Sequence, residues 1–276
     1  GQWQIAREFL KENLTKEEYE NARASTLTAF YTPKTVIGSI YNTLKNNNFA
    51  GGRILEPSCG VGNFIGLLPE SMSKSKVYGV ELDSLSARIA SKLYPEANVQ
   101  NMGFEKTNFT DNSFDVAIGN VPFGEYKLYD KAYDKNNFLI HDFFFAKSID
   151  KVKPGGVVAF ITSSGTLDKK DDSVRKYIGE RCEFLGAIRL PQDTFKGVAG
   201  TEVTSDIIFL QKRDNIRRDI DKDNEFFTSI SEDKNGLSYN KYFVDNPDMV
   251  LGNMKKVSGR FGEKTVCVND TNEDLQ

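Results

Sequence analysis

The sequence has few of the residues that build metal sites and disulfide frameworks. Its 276 residues include one histidine, His141, and three scattered cysteines, Cys59, Cys182 and Cys267, which lack metal-ligand spacing. This usage argues against a zinc site or a disulfide framework, and it favours a reducing compartment. We therefore expect a cytoplasmic protein without a metal ion.

Long apolar runs and an excess of one charge are also missing. No run approaches the roughly 18 apolar residues of a membrane-spanning helix, and no signal peptide is visible, so we expect a soluble protein with no membrane partner. The net charge is only −3. Bulk charge therefore does not indicate a nucleic-acid partner, and any basic surface must be local. Because the chain does not begin with methionine, we expect it to be part of a longer protein.

Short apolar runs alternate with helical patterns along much of the chain. Runs such as DVAIG and GVVAFIT are typical of strands buried on both faces of a parallel sheet. After Pro33, the apolar residues Val36, Ile37, Ile40, Tyr41 and Leu44 repeat at helical spacing. This alternation predicts an α/β fold with a doubly wound, mostly parallel sheet.

The composition divides the chain into three regions. Residues 1–27 form a helical lead-in, in which Thr15 and Glu18 have the spacing of a helix-capping box. Residues 28–213 carry the strand and helix patterns of the main domain. From about Asp214 charged residues dominate, so we interpret 214–276 as a weakly structured polar extension.

A glycine loop, ILEPSCGVGNF, follows the first predicted strand. Gly60 and Gly62 allow a tight turn and close approach of the backbone to a ligand. A dinucleotide site or an ordinary turn between strand and helix are the alternatives, but Ile65 stands where a dinucleotide fingerprint has its third glycine. Glu56 at the strand tip would repel a phosphate and attract an ammonium or sulfonium group. The pattern favours a cationic ligand.

A second acidic residue, Glu81, ends the next predicted strand. A carboxylate about 20 residues after such a glycine loop typically accepts hydrogen bonds from ribose hydroxyls. A ribose joined to a cationic amino-acid group, without phosphate, describes S-adenosylmethionine. Glu56 and Glu81 together therefore predict this cofactor, with solvated strand-end acids as the alternative.

The stretch GNVPFG ends a predicted buried strand and places an amide, a proline and an aromatic ring in one turn. In this order, the segments FYTP, LEPSCGVGNF, VYGVELD, GNVPFG, KPGGVVAFIT and RLPQDTFKGVAGTEVTSDIIFLQK resemble γ-class N6-adenine DNA methyltransferases over residues 28–213. The resemblance is strongest to the methylase segment of large methylase–helicase proteins of bacterial mobile elements. It implies a seven-stranded sheet of the class I S-adenosylmethionine-dependent methyltransferase type.

The resemblance also implies roles for individual residues. The Asn120 side chain and the main-chain carbonyl of Val121 would accept hydrogen bonds from the target amine, while Pro122 fixes the turn and Phe123 stacks on a flipped base. Phe195 would cover the other face of the base, with ordinary core packing as the alternative. The substrate site would further include Lys127 and Lys196. The predicted cofactor site comprises Tyr31, Thr32, Pro33, Glu56, Pro57, Ser58, Cys59, Gly60, Gly62, Glu81, Leu82, Phe104 and Asn120.

Two positions depart from the family pattern. Val121 replaces a proline of the usual motif, although its carbonyl is retained. Where the family has an acid that contacts the adenine amine of the cofactor, this chain reads NMGFE, so Asn101 or Gly103 is expected to occupy that place.

Other functions share the same catalytic motif. Protein-glutamine and RNA N-methyltransferases are alternatives to a DNA adenine methyltransferase, and so is a non-catalytic module that binds cofactor or DNA within a larger helicase protein. The lysine- and tyrosine-rich loop from Tyr126 to Lys135 suits a distorted DNA strand or is a plain surface loop. We expect recognition of a target sequence to depend on further domains or on a partner.

Overall fold

The computed structural model describes residues 2–16, 18–20, 32–195, 202–218, 225–259 and 262–269, and Tyr31 and Lys196 lie outside them. The strands are β1 (Arg53–Glu56), β2 (Lys76–Glu81), β3 (Asn98–Asn101), β4 (Phe114–Asn120), β5 (Val152–Ser163), β6 (Cys182–Leu190), β7 (Ser205–Lys212), β8 (Ile230–Glu232), β9 (Ser238–Asn240), β10 (Asn253–Gly259) and β11 (Gly262–Val268). The α-helices with described bounds are α1 (Gln2–Asn13), α2 (Lys34–Asn46), α3 (Asn63–Gly66), α4 (Ser84–Leu93), α5 (Ile140–Lys151), α6 (Gly165–Asp168), α7 (Ser173–Arg181), α8 (Glu225–Thr228) and α9 (Lys241–Asp245).

One sheet organises the molecule. It has seven strands in the order β3-β2-β1-β4-β5-β7-β6. Strands β1 to β5 pair in parallel, whereas β7 is antiparallel to both β5 and β6. The expected doubly wound, mostly parallel sheet of the class I methyltransferase type is therefore confirmed. Chain order reverses between β1 and β4, and such sheets bind ligands beside this reversal, at the carboxyl ends of the strands.

Apolar side chains of the central strands alternate between the two faces of the sheet, as the pleat requires. On β4, Ala117 belongs to one buried cluster and its neighbours Val116 and Ile118 to the other. Helix α5 contributes three phenylalanines to the first cluster, and α2 contributes Ile37, Ile40, Tyr41 and Leu44 to the second. Because helices cover both faces, the strand ends are left for ligand binding.

The predicted helix starts near the amino terminus are found. The Thr15 N–H donates to Glu18 Oε2 at 2.9 Å, and the Glu18 N–H donates to Thr15 Oγ1 at 3.2 Å, which are the two bonds of a capping box. Pro33 is the N-cap residue of α2. Proline has no backbone N–H, and it is tolerated at the start of a helix because the first N–H groups have no partner within the helix. Of the apolar residues predicted for this helix, Ile37, Ile40, Tyr41 and Leu44 are buried on the side that faces the core.

The expectation of a weakly structured extension after Asp214 is wrong for the described residues of that segment. Asn240 is fully buried, and its amide group donates to the carbonyls of Leu167 and Phe227, each at 2.9 Å. Phe227 and Phe243 belong to the same cluster as the phenylalanines of α5. The apolar groups of the segment are only two or three residues long, and charged residues outnumber them in a composition-based interpretation. Residues 225–250 pack against the main domain.

Within the described ranges, no helix is long and apolar enough to cross a membrane. The same part of the chain contains no group of three or more histidine, cysteine, aspartate or glutamate side chains that could hold a metal ion.

Candidate active site

The loop after β1 forms the floor of the candidate site. Gly60 and Gly62 have φ angles of 54° and 88°, in the left-handed region where a side chain is costly. A Cβ at Gly62 would also lie 2.7 Å from the Tyr94 ring, whereas a Cβ at Gly60 would meet nothing within 4 Å. The Cys59 N–H donates to the Val80 carbonyl at 2.9 Å and fixes the loop to β2. Gly60 therefore faces open space, as a residue that a ligand approaches should.

The carboxylate of Glu81 connects this loop to the tip of β2. It accepts the Gly60 N–H at 2.8 Å and the Asp83 N–H at 2.7 Å. The Asn101 side chain donates to the main-chain carbonyls of Glu81 and Leu82, at 2.9 and 3.1 Å. Burial raises the pKa of Glu81, an effect that the two N–H donors oppose and the Asp83 charge assists. The tips of β1, β2 and β3 are thus held together by hydrogen bonds that converge on one acidic residue.

Glu56 is the most deeply buried acid of the site. It is 2 % exposed, and its Oε2 has no hydrogen-bond partner among the described residues. Burial raises the pKa of Glu56 well above its usual value, and the nearby Glu81 charge raises it further. A buried carboxylate without a counter-ion is costly. A bound cation would therefore stabilise the ionised carboxylate of Glu56, and a proton would neutralise it.

Three segments that are far apart in the sequence meet at the end of β4. The Ser58 hydroxyl donates to the main-chain carbonyl of Asn120 at 2.8 Å. The Asn120 side-chain amide donates to Thr32 Oγ1 at 3.3 Å. The Val121 N–H donates to the Ile161 carbonyl at 3.1 Å and anchors the turn to β5. The predicted catalytic turn therefore adjoins the predicted cofactor loop and the segment before α2.

The remaining predicted residues of the loop and the turn divide into buried and half-buried groups. Pro57 and Cys59 are buried, so their contribution to a ligand site is the shape of the backbone. Burial also raises the pKa of the Cys59 thiol, which keeps it unreactive. Pro122 and Phe123 are half-buried just beyond the end of β4. Their position leaves them near the opening rather than in the core.

Two exposed apolar side chains mark the far end of the site. Leu82 is 73 % exposed just after β2, and Met102 is 37 % exposed just after β3. Glu81 and Asn101 are partners in the strand register, so the two apolar side chains follow adjacent strand tips. Leu82 was predicted, but Met102 was missed. The available signal was its position directly after a strand that neighbours the one ending in Glu81.

The structure does not bring every predicted residue to the opening. Phe104 is 2 % exposed and packs against Phe143 and Phe144, so in this conformation it has no free face for an adenine ring. Phe195 is also 2 % exposed and lies in the cluster that α2 covers, which is the core-packing alternative. Lys127 is hydrogen-bonded to Asn137 on the exposed loop.

This loop lines a cavity beyond the predicted catalytic turn. A cavity of about 250 Å³ is lined by Lys127, Leu128, Tyr129, Tyr133, Asp134, Asn137, Phe138 and Phe143. Tyr129 is among the exposed aromatic side chains.

Comparison with known proteins places these features in a family context. A family model described as N-6 DNA Methylase matches residues 12–242. "Defense against restriction protein B" of Escherichia phage P1 is 31 % identical over 199 residues, covering 70 % of this chain and 9 % of that protein. Modification methylase CviBIII of Paramecium bursaria Chlorella virus NC1A is 32 % identical over 166 residues, covering 58 % of this chain and 42 % of that protein.

Solved structures share the fold at lower identity. The crystal structure of the type I restriction enzyme EcoKI M protein superposes with a TM-score of 0.53 at 15 % identity, covering 69 % of this chain and 46 % of that one. The chain thus spans less than half the length of the two sequence relatives and of this structural neighbour.

Proposed function

The chain belongs to the N-6 DNA methylase family, and from that premise we propose that it transfers a methyl group from S-adenosylmethionine to the N6 amine of adenine in DNA. The observation that supports the proposal is the hydrogen bond from Ser58 to the Asn120 carbonyl, because it joins the turn after β4 to the glycine loop after β1. We assign residues 28–213 to the methyltransferase domain, 1–27 to a helical lead-in and 214–276 to a polar C-terminal extension, of which residues 225–250 pack against the domain.

The residues at the strand tips fit S-adenosylmethionine on their own chemistry. The buried Oε2 of Glu56 has no partner among the described residues and would accept the positively charged methionine end. Glu81 would bind the ribose hydroxyls with the acceptor capacity that remains beside its two N–H bonds. Leu82 and Met102 would lie against the adenine ring. When bound, S-adenosylmethionine supplies a methyl group on a sulfonium, which is an electrophile that needs no covalent enzyme intermediate.

The protein's task is to orient a poor nucleophile. The lone pair of the adenine amine is delocalised into the ring, and two acceptors aimed at its hydrogens favour attack and stabilise the charge that develops. The Asn120 side-chain oxygen and the Val121 carbonyl would provide these acceptors, and preorganised groups of this kind are worth a few kcal/mol. Pro122 would hold the turn, and Phe123 would stack on the extruded base. Positioning of the amine against the methyl group supplies much of the rate.

Recognition of a target site belongs to a larger assembly in this proposal. The two sequence relatives are longer than the matched region, since this chain covers 9 % and 42 % of them. We propose that further recognition or helicase domains, or a partner subunit, select the sequence that is methylated, and that DNA is the substrate of the whole assembly.

Methylation with labelled S-adenosylmethionine and mixed-sequence DNA, followed by nucleoside analysis, tests the function. We expect N6-methyladenine, and we expect Asn120→Ala to reduce turnover by about 10²–10³-fold without loss of cofactor binding. Asn235→Ala is the matched control, because Asn235 is exposed in the turn between β8 and β9. Label found only in a glutamine side chain or in RNA would show that the substrate is a protein or an RNA instead of DNA. An Asn120→Ala variant as fast as the unmodified chain would refute the mechanism.

A further inference from the structure

The strands β10 and β11 form an antiparallel ribbon outside the seven-stranded sheet. They pair over their whole lengths, from Asn253 with Val268 to Gly259 with Gly262. Each strand has seven residues, which span about 24 Å because an extended residue advances about 3.4 Å. Both strands follow residue 242, at which the match to the family model ends. The ribbon is therefore a feature that the family model does not cover.

Hydrogen bonds fix the base of the ribbon to the end of β6 and to the start of β7. The Leu251 N–H, just before β10, donates to the Arg189 carbonyl at 2.9 Å. The Gln192 N–H donates to the Cys267 carbonyl of β11 at 2.8 Å, and the Cys267 N–H donates to Thr204 Oγ1 at 2.9 Å. Cys267 is fully buried. The base of the ribbon therefore has a defined position at this edge of the sheet.

This edge is also the one that carries the predicted catalytic turn. The strand register pairs Asn120 of β4 with Ile161 of β5. It continues from Ile161 to Ile207 of β7, and from there to Ile188 of β6. Because neighbouring strands are about 4.8 Å apart, three strand spacings separate Ile188 from Asn120 by about 14 Å. That is about four base-pair steps of a duplex, since each step rises about 3.4 Å, so DNA held at the catalytic turn is within reach of the ribbon.

The ribbon carries more positive than negative charge. Its two strands contain Lys255, Lys256 and Lys264, and their one acid is Glu263. All four side chains are exposed. The whole chain has a net charge of −3, so this excess of lysine is local. A local basic surface is the electrostatic feature expected where a protein of this kind contacts nucleic acid.

The strand register divides these charges between the two faces of the ribbon. Lys255 and Lys264 are diagonal neighbours on one face, and such side chains are about 7–8 Å apart. Neither lysine forms a salt bridge within the described part of the chain. Lys256 lies on the opposite face, where Glu263 is its diagonal neighbour. One face therefore presents two ammonium groups without a nearby acid of the ribbon, and the other face presents a lysine beside a glutamate.

We propose that the face of the ribbon with Lys255 and Lys264 binds the phosphate backbone of the substrate DNA. The inference rests on the proposed function for the identity of the polymer. Each ammonium group contacts one phosphate, and a two-stranded ribbon is narrow enough to enter the major groove of a duplex. Phosphate contacts position a protein on DNA and carry no sequence information. The ribbon thus holds the duplex beside the catalytic turn and leaves the choice of target sequence to other parts of the assembly.

Titration of a labelled duplex at about 50 and 200 mM salt tests this assignment in the double variant Lys255→Gln/Lys264→Gln. The logarithm of the binding constant falls with the logarithm of the salt concentration by about 0.9 per phosphate contact, so the slope should become shallower by about 1.8. We expect weaker binding at the lower salt concentration. Between the two concentrations, the affinity of the variant should fall about tenfold less than that of the unmodified chain. The variant Lys255→Arg/Lys264→Arg should keep the original slope, because it keeps both charges.

The control is Lys256→Gln, which removes the same charge from the opposite face. Its slope should match that of the unmodified chain. A double glutamine variant with an unchanged slope overturns the inference. So does a Lys256→Gln slope that is shallower by a full contact, because total charge would then explain the effect. Absence of binding by the unmodified chain at the lower salt concentration also overturns it.

Methylation assays on the same samples separate this inference from the proposed function. If N6-methyladenine forms and the KM for DNA is equal in the unmodified chain and the double glutamine variant, the ribbon is rejected and the proposed function stands. If the salt slope changes as expected but no methylated adenine forms, the ribbon is a DNA contact and the proposed function is rejected. Loss of binding to vesicles of anionic lipid in the double variant, with DNA binding unchanged, would assign the ribbon to a membrane surface instead.

Discussion

Replacing Glu56 with glutamine should make the unliganded protein more stable and its cofactor site weaker. Glu56 is 2 % exposed, and its Oε2 has no hydrogen-bond partner among the described residues. Glutamine keeps the shape of the side chain but removes the charge. The free chain loses a buried charge that no described residue neutralises, while the bound state loses its attraction for the cationic end of the cofactor. Removal of the Glu56 charge should therefore raise the free energy of unfolding and lower the affinity for the cofactor.

The pH dependence follows from the direction of the pKa shift. Burial raises the pKa of Glu56 in the folded state well above its usual value, so the folded chain holds this proton more tightly than the unfolded chain does. The free energy of unfolding should therefore fall as pH rises from the ordinary carboxyl range through the raised pKa, and level off above it. Glu56→Gln should remove this part of the slope. Cofactor affinity should rise with pH over the same interval, because binding requires the ionised carboxylate.

The expected changes in unfolding free energy and in cofactor affinity follow from the lack of a hydrogen-bond partner for Glu56 Oε2 among the described residues. An unsatisfied buried polar group costs about 1–3 kcal/mol, and more when it is charged, so Glu56→Gln should gain at least about 1 kcal/mol of unfolding free energy above the raised pKa. Loss of a hydrogen bond to a charged group should weaken S-adenosylmethionine binding by about 10- to 100-fold.

Urea unfolding across a pH series and calorimetry with S-adenosylmethionine measure the two quantities. Glu70→Gln is the matched control, because Glu70 is exposed and should leave both unchanged. A Glu56→Gln variant that is no more stable than the unmodified chain at any pH in the series and binds the cofactor as tightly as before would refute the reasoning.

Three further changes test other parts of the structure. Glu81→Ala should weaken cofactor binding by about 1–3 kcal/mol, because it removes the ribose acceptor and the anchor of the Gly60 N–H; unchanged affinity by calorimetry would reject the assignment. DNA binding by this chain should be weak and should depend little on sequence. The logarithm of the binding constant should fall with the logarithm of the salt concentration by about 0.9 per phosphate contact, and Lys127→Ala should remove one such contact. Nanomolar, sequence-selective binding in titrations at two salt concentrations would reveal a missed recognition element. Asn240→Ala should lower the free energy of unfolding by about 1–3 kcal/mol, since two buried carbonyls lose their donor; a denaturation midpoint equal to that of the unmodified chain would show that the segment contributes no stability.

The sheet and the catalytic turn were predictable because their signals are local. Runs such as that of β4 are apolar at consecutive positions, and a strand buried on both faces leaves this pattern in the sequence. Asn120 and Val121 follow directly at the strand end. The meeting of Thr32, Ser58 and Asn120 was expected from a resemblance rather than from spacing, because hydrogen bonds between distant segments leave no periodic signal.

One feature escaped prediction for a physical reason that can be named. The described part of the extension packs through short apolar groups such as Tyr242 to Val244, which are too short to stand out beside the charged residues of the segment. Phe195 was predicted to cover a flipped base, with core packing as the alternative, and the structure places its side chain in the core.

Lys147 has a consequence for how this protein can evolve. Its one ammonium group holds both the turn that carries Glu105 and, through Asp130, the loop that follows the catalytic turn. A substitution at Lys147 therefore acts on the turn after β3 and on the loop after β4 at the same time. Neither segment can change at this residue independently of the other.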